Sequence, residues 1–403
     1  MFHTMRRPDR NLTVLAASVF GMALAEELWL AYLPAYLSAL GASGLVVGVF
    51  GSARDLLDSA YQYPGGWLAD RFGRRRALLI FTALAVAGYA VYASAPAWPL
   101  MFAGLAGVMA WKAGAFPTTF AVIGDSLPPG RRATAFSVQS ILVRVARVVG
   151  APIGGVLIGS LGVIAGVRTT LLATLALAVG VLALQQYGFR EDGPSSLRTD
   201  TGGRRARAVS LPPELKRLLV ADCLVRIGEG VAASFIVLFV LQVRHVSPAE
   251  YGVLYAVQQA VSIVSYLPGG RIADRTGRSP LVAVTFVFFA LFPLAVRLST
   301  TYPALLAAFC LGGLKEIGEP ARKSLIVDLA PHDQRARAVG VYYGIRNLVV
   351  VPAGVAGGIL WQHAPTLPLE SAFIVGVIGI VVFALSHRPG REHGLDGPQE
   401  ETI

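Results

Sequence analysis

Gly66-Trp67-Leu68-Ala69-Asp70-Arg71-Phe72-Gly73-Arg74-Arg75-Arg76 is a short charged segment set between two long apolar runs. It returns half a chain later as Gly270-Arg271-Ile272-Ala273-Asp274-Arg275-Thr276-Gly277-Arg278. The match spreads outward from both copies. Pro64-Gly65-Gly66 pairs with Pro268-Gly269-Gly270, Gly48 with Gly252, and Glu26 with Glu229. Lys112, Pro117, Asp125, Pro128 and Arg132 pair with Lys315, Pro320, Asp328, Pro331 and Arg335, and Gly154-Gly155 pairs with Gly357-Gly358. The offset moves only between 203 (Glu26 to Glu229) and 204 (Gly66 to Gly270), as two small indels would produce. Two halves of one plan, in parallel orientation, follow from this.

Composition says what surrounds those halves. The 403 residues are 54% hydrophobic and 15% charged, with a mean hydropathy of +0.60. A soluble domain carries about 25% charged residues, so this chain cannot cover its apolar surface in water, and a bilayer is its solvent. The net charge of +11 does not gather on one domain, so nucleic acid is not an expected partner. It recurs in short clusters between apolar runs, a membrane-topology pattern. Cys223 and Cys310, the two cysteines, both lie in apolar runs and imply neither a disulfide framework nor a metal site. Arg6, Arg7 and Arg10 ahead of an apolar run imitate a signal peptide. The run continues to Leu40 and holds the repeated Glu26, so we read it as an uncleaved span.

A spanning helix needs about 20 apolar residues. Runs between Gly, Pro and charged breaks predict spans near 12–38, 45–68, 77–95, 98–124, 135–160, 163–187, 214–242, 249–271, 280–298, 302–328, 337–361 and 367–386. The expected organisation is a six-helix bundle over 1–187, a cytoplasmic linker over 188–213, and a second bundle over 214–403 with a short cytoplasmic tail. Lys and Arg fix the orientation. One side gathers Arg6, Arg7, Arg10, Arg71, Arg74, Arg75, Arg76, Arg131, Arg132, the arginines of the 190–217 loop with Lys216, Arg271, Arg275, Arg278, Arg335, Arg337, Arg388 and Arg391. The other side has Arg168, Arg244 and Arg297. The expectation is a multi-pass cytoplasmic (inner) membrane protein with both termini cytoplasmic.

The charged segment and its copy resemble the loop signature between helices 2 and 3 of the major facilitator superfamily. Asp125, Pro128 and Arg132, with Asp328, Pro331 and Arg335, resemble its companion loops after helices 4 and 10. The resemblance covers nearly the whole chain. It implies an all-α membrane fold of twelve transmembrane helices in two pseudo-symmetric six-helix bundles, and alternating-access transport. It also implies a conformational gate at Gly66, Asp70, Arg71, Gly73, Arg74, Asp125, Arg132, Asp274, Arg275, Arg278, Asp328 and Arg335. Gly66 would permit close helix packing and Gly73 a tight turn. Arg74 would reach Asp125, and Arg278 would reach Asp328. The chain also departs from family patterns. No arginine stands in the outer half of helix 4 near Leu105. Gly150-Ala151-Pro152-Ile153-Gly154-Gly155 is one residue short of the helix 5 antiporter signature. The sugar-porter pattern is missing between Gln185 and Asp192.

Ionisable residues inside spans are costly and mark pathways. Glu26, Asp58, Lys112, Arg147, Glu229 and Lys315 fall near span centres, with Arg144, Arg226 and Arg346 a turn or less away. Helical spacing groups Arg54 with Asp58, Asp222 with Arg226 and Glu229, and Lys315 with Glu319 and Arg322. Glu27 and Glu316 point about 100° from their neighbours and need partners on other helices. In the family, helices 1, 4, 7 and 10 line the cavity, and these carry Glu26, Lys112, Glu229 and Lys315. The expected substrate and proton pathway is Glu26, Lys112, Glu229, Lys315, Arg226, Glu316, Glu319, Arg144 and Arg346. Glu26 and Glu229 would include a proton-titrating carboxylate. Lys112 and Lys315 would meet an anionic or polar substrate group or hold those carboxylates ionised. The bland alternative is a set of internal salt bridges that only hold the bundle together, the expected role of Arg54 with Asp58.

The function expected is secondary transport of a small or amphipathic solute, proton-coupled and in the direction of efflux, as in an antiporter. The alternatives are proton-symport uptake of an organic anion, a lipid flippase, and a transport-inactive membrane sensor. No nucleophile–base constellation, phosphate loop or metal cluster is seen, so neither an enzyme nor a metal or cofactor site is expected. The expected partners are a small-molecule substrate and the bilayer, and the expected state is a monomer.

Overall fold

The computed structural model describes residues 10–127, 129–189, 211–331 and 335–386, and all of its regular structure is helical. Its helices are α1 (Arg10–Glu27), α2 (Leu33–Ala39), α3 (Gly44–Phe72), α4 (Arg74–Ser94), α5 (Pro99–Met109), α6 (Ala115–Ser126), α7 (Pro129–Leu161) and α8 (Val163–Gly188). The second half has α9 (Pro213–Leu238), α10 (Pro248–Thr276), α11 (Arg278–Leu298), α12 (Tyr302–Leu314), α13 (Glu319–Leu329), α14 (Arg335–Val350), α15 (Ala353–His363) and α16 (Leu367–Ser386). These sixteen pieces form twelve rods, because α1–α2, α5–α6, α12–α13 and α14–α15 each run on through a short irregular turn. Residues 190–210, most of the expected linker, lie outside the described residues.

Prolines explain where the rods break. A proline cannot donate to the carbonyl four residues back and crowds it. Pro34 follows a 3-10 turn over Leu30–Tyr32, and Pro117 follows a π turn over Ala110–Gly114. Pro320 opens α13 after an irregular turn at residues 315–318, and Pro352 caps α15. The first span, read from sequence as one run over 12–38, is therefore two helices. Proline alone does not decide this, since Pro64, Pro152, Pro268 and Pro293 sit inside unbroken helices.

Among the described residues nine helices are long and apolar enough to cross a bilayer. The other three rods are α3, α10 and α12–α13. α3 and α10 have 29 residues each, about 44 Å of helix at 1.5 Å per residue, so length suffices. What lowers their apolarity is polar content in mid-rod: Arg54, Asp55 and Asp58 on α3, and Gln258, Gln259 and Ser262 on α10. On the tenth rod it is Lys315, Glu316, Glu319, Arg322 and Lys323.

Within the first half, α1 packs on α7 and α8, and α4 on α5 and α8; within the second, α9 packs on α15 and α16, and α11 on α12 and α16. Two seams join the halves, α3 along α15 and α7 along α10, and the repeat relates one seam to the other. Both are closed by glycine at the end away from the linker, the far end. A Cβ on Gly48 would lie 2.2 Å from the Gly354 carbonyl oxygen, and one on its repeat mate Gly252 would lie 2.7 Å from the Ala151 oxygen. No side chain fits there, so the backbones touch. The buried Tyr32 hydroxyl adds polar contact to the second seam, 2.8 Å from the Ala151 carbonyl and 3.0 Å from the Pro248 carbonyl. Trp361 covers Gly44 and packs 5.3 Å from Phe235.

Candidate functional site

The repeat-related lysines occupy two of the irregular turns. Lys112 lies in the π turn Ala110–Gly114, and Lys315 caps α12 where the tenth rod breaks. An interrupted helix at mid-depth leaves backbone and side chains free to face a cavity.

Around Lys315 the second bundle builds one continuous charged chain. Glu229 Oε1 accepts from Lys315 Nζ at 2.6 Å, and Glu229 Oε2 accepts from Arg226 at 2.6 Å. Arg226 comes within 4.0 Å of Glu319. Glu319 and Asp222 both accept from Arg322, and Arg346 lies 3.6 Å from Asp222. The Tyr342 hydroxyl donates to the other Asp222 oxygen at 2.9 Å. Asp222 and Arg322 are 0% and 1% exposed, so this pair must be satisfied internally. Phe289 lies under both cations, 4.9 Å from Lys315 and 5.1 Å from Arg226, within cation–π range.

The first bundle treats its copy differently. Glu26 is 8% exposed and accepts from the Tyr89 hydroxyl at 2.6 Å. Among the described residues it makes no ion pair, and Lys112 Nζ contacts no carboxylate. Among the described residues Arg54 makes no ion pair, with Asp58 or with any other carboxylate. The structural pair expected between Arg54 and Asp58 is therefore not formed. Glu27 finds the partner on another helix that its direction required, with Arg147 Nε donating at 3.0 Å.

Among the described residues one ion pair crosses between the bundles. Arg144 on α7 reaches Glu316 at 3.5 Å, also bonds the Ser262 hydroxyl of α10, and stacks 5.3 Å from Tyr266. Arg144 and Arg147 line a cavity of about 450 Å³ whose other walls include Glu229, Gln258, Gln259, Ser262, Lys315 and Glu316 with Tyr251, Tyr255, Phe289, Phe292 and Phe309. Arg226, Glu319 and Arg346 stand behind this wall, joined to it through Glu229. Glu26 and Lys112 are not on it.

Of the loop segments, the second copy is described best. Arg278 and Asp328 are in contact. Gly73 and Gly277 each stand alone between two helices, with φ 87° and 86°, a conformation that favours glycine. Arg71 lies 5.2 Å from the Trp67 ring. The close approach expected of Gly66 belongs to its neighbour. A Cβ on Gly65 would sit 2.3 Å from the Gly114 oxygen, whereas one on Gly66 would make ordinary contact with Pro117 at 3.8 Å. The side chains of Asp70, Asp125, Arg132, Asp274, Arg275 and Arg335 lie outside the described residues. Arg75 donates to the Gln186 carbonyl and Arg10 to the Tyr187 carbonyl at 2.8 Å, so both serve the C-terminal end of α8.

Reading by residue type missed Tyr89 and underused Gln258, Gln259 and Ser262. Tyrosine inside a span is normally packing, and no charge drew attention to it. The three polar residues of α10 had a signal, because they replace Arg54, Asp55 and Asp58 at the repeat offset.

Comparison with known proteins agrees with this architecture. An uncharacterised MFS-type transporter of Methanocaldococcus jannaschii is 21% identical over 393 residues, 94% of each chain. The multidrug resistance protein MdtH of Cronobacter sakazakii is 26% identical over 373 residues, covering 87% of this chain and 86% of that protein. Among solved structures, the nucleoside transporter NupG superposes with a TM-score of 0.79 at 12% identity, over 94% of this chain and 100% of that one. A bacterial homologue of the human lysosomal transporter Spinster, inward-facing and occupied, gives 0.70 at 16%, over 94% and 97%. The model of the Major Facilitator Superfamily matches twice, over residues 15–219 and again over 218–402. Matched across both halves, this chain belongs to the Major Facilitator Superfamily, a family of membrane transporters and not of enzymes.

Proposed function

We propose that this protein is a proton-coupled secondary transporter that exports a small or amphipathic solute by alternating access. The observation that carries the reading is the pairing of a glycine-closed far end with a charged cavity between the bundles. The lysine and arginine asymmetry assigns the linker end, with both termini, to the cytoplasm. The far-end contacts then close the outer side, and the state is inward-facing. Rocking the 1–187 and 214–403 bundles against each other opens the α3–α15 and α7–α10 seams. It also separates Arg144 from Glu316. The loop residues, with Arg278 and Asp328 in contact, brace the helices that move together.

Of the repeated carboxylates, Glu26 is the proton carrier. Its direct partner is a neutral hydroxyl, which can bond either form of the carboxyl. Glu229 is instead ion-paired with both Lys315 and Arg226. Export is favoured by the likeness to MdtH multidrug resistance proteins over most of the chain. One polypeptide contains both bundles and the cavity, so a monomer suffices in the inner membrane, and the proton gradient is the energy source. The test is solute flux in proteoliposomes under an imposed pH gradient. Gradient-driven flux of at least one solute is expected. Flux indifferent to the gradient overturns the coupling, and no flux across a broad solute panel overturns transport itself.

A further inference from the structure

Two arginines one helical turn apart on α7 face the cavity, and their engagements are unequal. Arg147 spends its Nε on Glu27 at 3.0 Å. Among the described residues its two terminal nitrogens bond nothing, and 34% of its side chain is exposed at the cavity. Arg144 holds Glu316 at 3.5 Å, through one nitrogen of its fork. Lys315 and Arg226, by contrast, each grip Glu229 at 2.6 Å. A guanidinium prefers a short, two-point contact with a carboxylate; neither α7 arginine makes one, and the second terminal nitrogen of Arg144 is on the Ser262 hydroxyl. The cavity wall carries three cations, Arg144, Arg147 and Lys315, against two carboxylates, Glu229 and Glu316, with Glu27 bound to Arg147.

We propose that Arg144 and Arg147 form a subsite for the anionic group of an amphipathic organic anion, and that Glu316 occupies part of it with its own carboxylate while the cavity is empty. The rest of the cavity fits the rest of such a molecule. Phe289, Phe292 and Phe309 give an apolar wall, with Phe292 and Phe309 edge-to-face at 5.5 Å. Gln258 and Gln259 provide neutral hydrogen-bonding groups that set orientation without adding charge. The volume of about 450 Å³ falls within the roughly 300–1,000 Å³ of small-molecule sites. This subsite rests on the transport reading above and names the solute class it would serve.

Ligand binding to the purified full-length protein tests it apart from transport. The probes share one ring system and differ in charge: naphthoate, naphthalenesulfonate, naphthylmethylammonium and naphthalenemethanol. The two anions should raise the melting midpoint, and the ammonium and the alcohol should not. Glu316→Gln should tighten naphthoate, because the internal competitor loses its charge. Arg147→Gln should weaken it by roughly tenfold or more, the worth of one charged contact. Arg147→Lys keeps a cation beside Glu27 but loses the fork, so it should also weaken naphthoate while melting like the parent without ligand. Three results would overturn the subsite: ammonium or alcohol binding as well as the anions, no response to either anion, or unchanged or weaker naphthoate binding in Glu316→Gln. Proton-coupled flux of a cationic solute by a protein blind to anions would sink the subsite and leave the transport reading standing. Anion binding without flux of any solute would do the reverse.

Discussion

Glu26 and Glu229 stand at one position in two copies of a bundle, yet Glu26 meets a tyrosine hydroxyl and Glu229 meets a lysine and an arginine. The cause lies in the residues around them. Where the second bundle has Asp222, Arg226 and Arg322, the first has Val19, Ala23 and Thr119. Where the first has Arg54, Asp55 and Asp58, the second has Gln258, Gln259 and Ser262. Tyr89 corresponds to Pro293, which donates nothing. Duplication kept the backbone plan, including the glycine turns at φ 87° and 86° and the two glycine seams, while the interior charges were redistributed. The second bundle became a rod set tied by ion pairs, and the first kept a carboxylate free of them.

The largest difference should appear on breaking the buried pair. Arg322→Met leaves Asp222 buried beside Tyr342, with Arg346 as its remaining cation. It should destabilise the protein by about 3–5 kcal/mol. The repeat-equivalent Thr119→Ala loses one hydroxyl bond to the Ala115 carbonyl and should cost about 1 kcal/mol. Melting in detergent measures both, and similar losses would mean that the bundles have not diverged in this way.

The seams come next. Gly48→Val and Gly252→Val each push a side chain into backbone of the other bundle. Both should open the far end and raise labelling of a cysteine introduced there. The Gly252 change should do more, since it also displaces the Tyr32 hydroxyl from its carbonyls. Equal labelling in both variants and the parent would place the closure elsewhere. Smallest and most equal are the loop glycines. Gly73→Ala and Gly277→Ala force alanine into an extended backbone of positive φ, at roughly 1–3 kcal/mol each. Unequal costs would show that the two turns are less alike than their angles.

Much of this could be read in the chain because the membrane imposes a simple rule. Apolar runs had to be helices, and charges inside them had to be exceptional. The stripe Asp222, Arg226, Glu229 and its facing stripe Lys315, Glu319, Arg322 were found by helical spacing alone, and the structure joins them. Spacing failed where partners lie on other helices. Arg54 and Asp58 stand four residues apart, yet among the described residues they form no ion pair. Tyr89 became important only through a helix 63 residues away in sequence. The close contact ascribed to Gly66 shifted to Gly65 because the backbone that decides it, at Gly114, comes from another rod. One-dimensional patterns give directions along a helix, and the second helix of each contact must be supplied by packing.

Proton movement accompanying solute flux, measured in proteoliposomes containing Glu26→Gln beside the parent protein, tests the divergence most directly. The account predicts that the variant folds and still exchanges solute down its gradient, with the accompanying proton flux gone. Proton flux per solute equal to the parent's would contradict it and return the coupling role to another carboxylate.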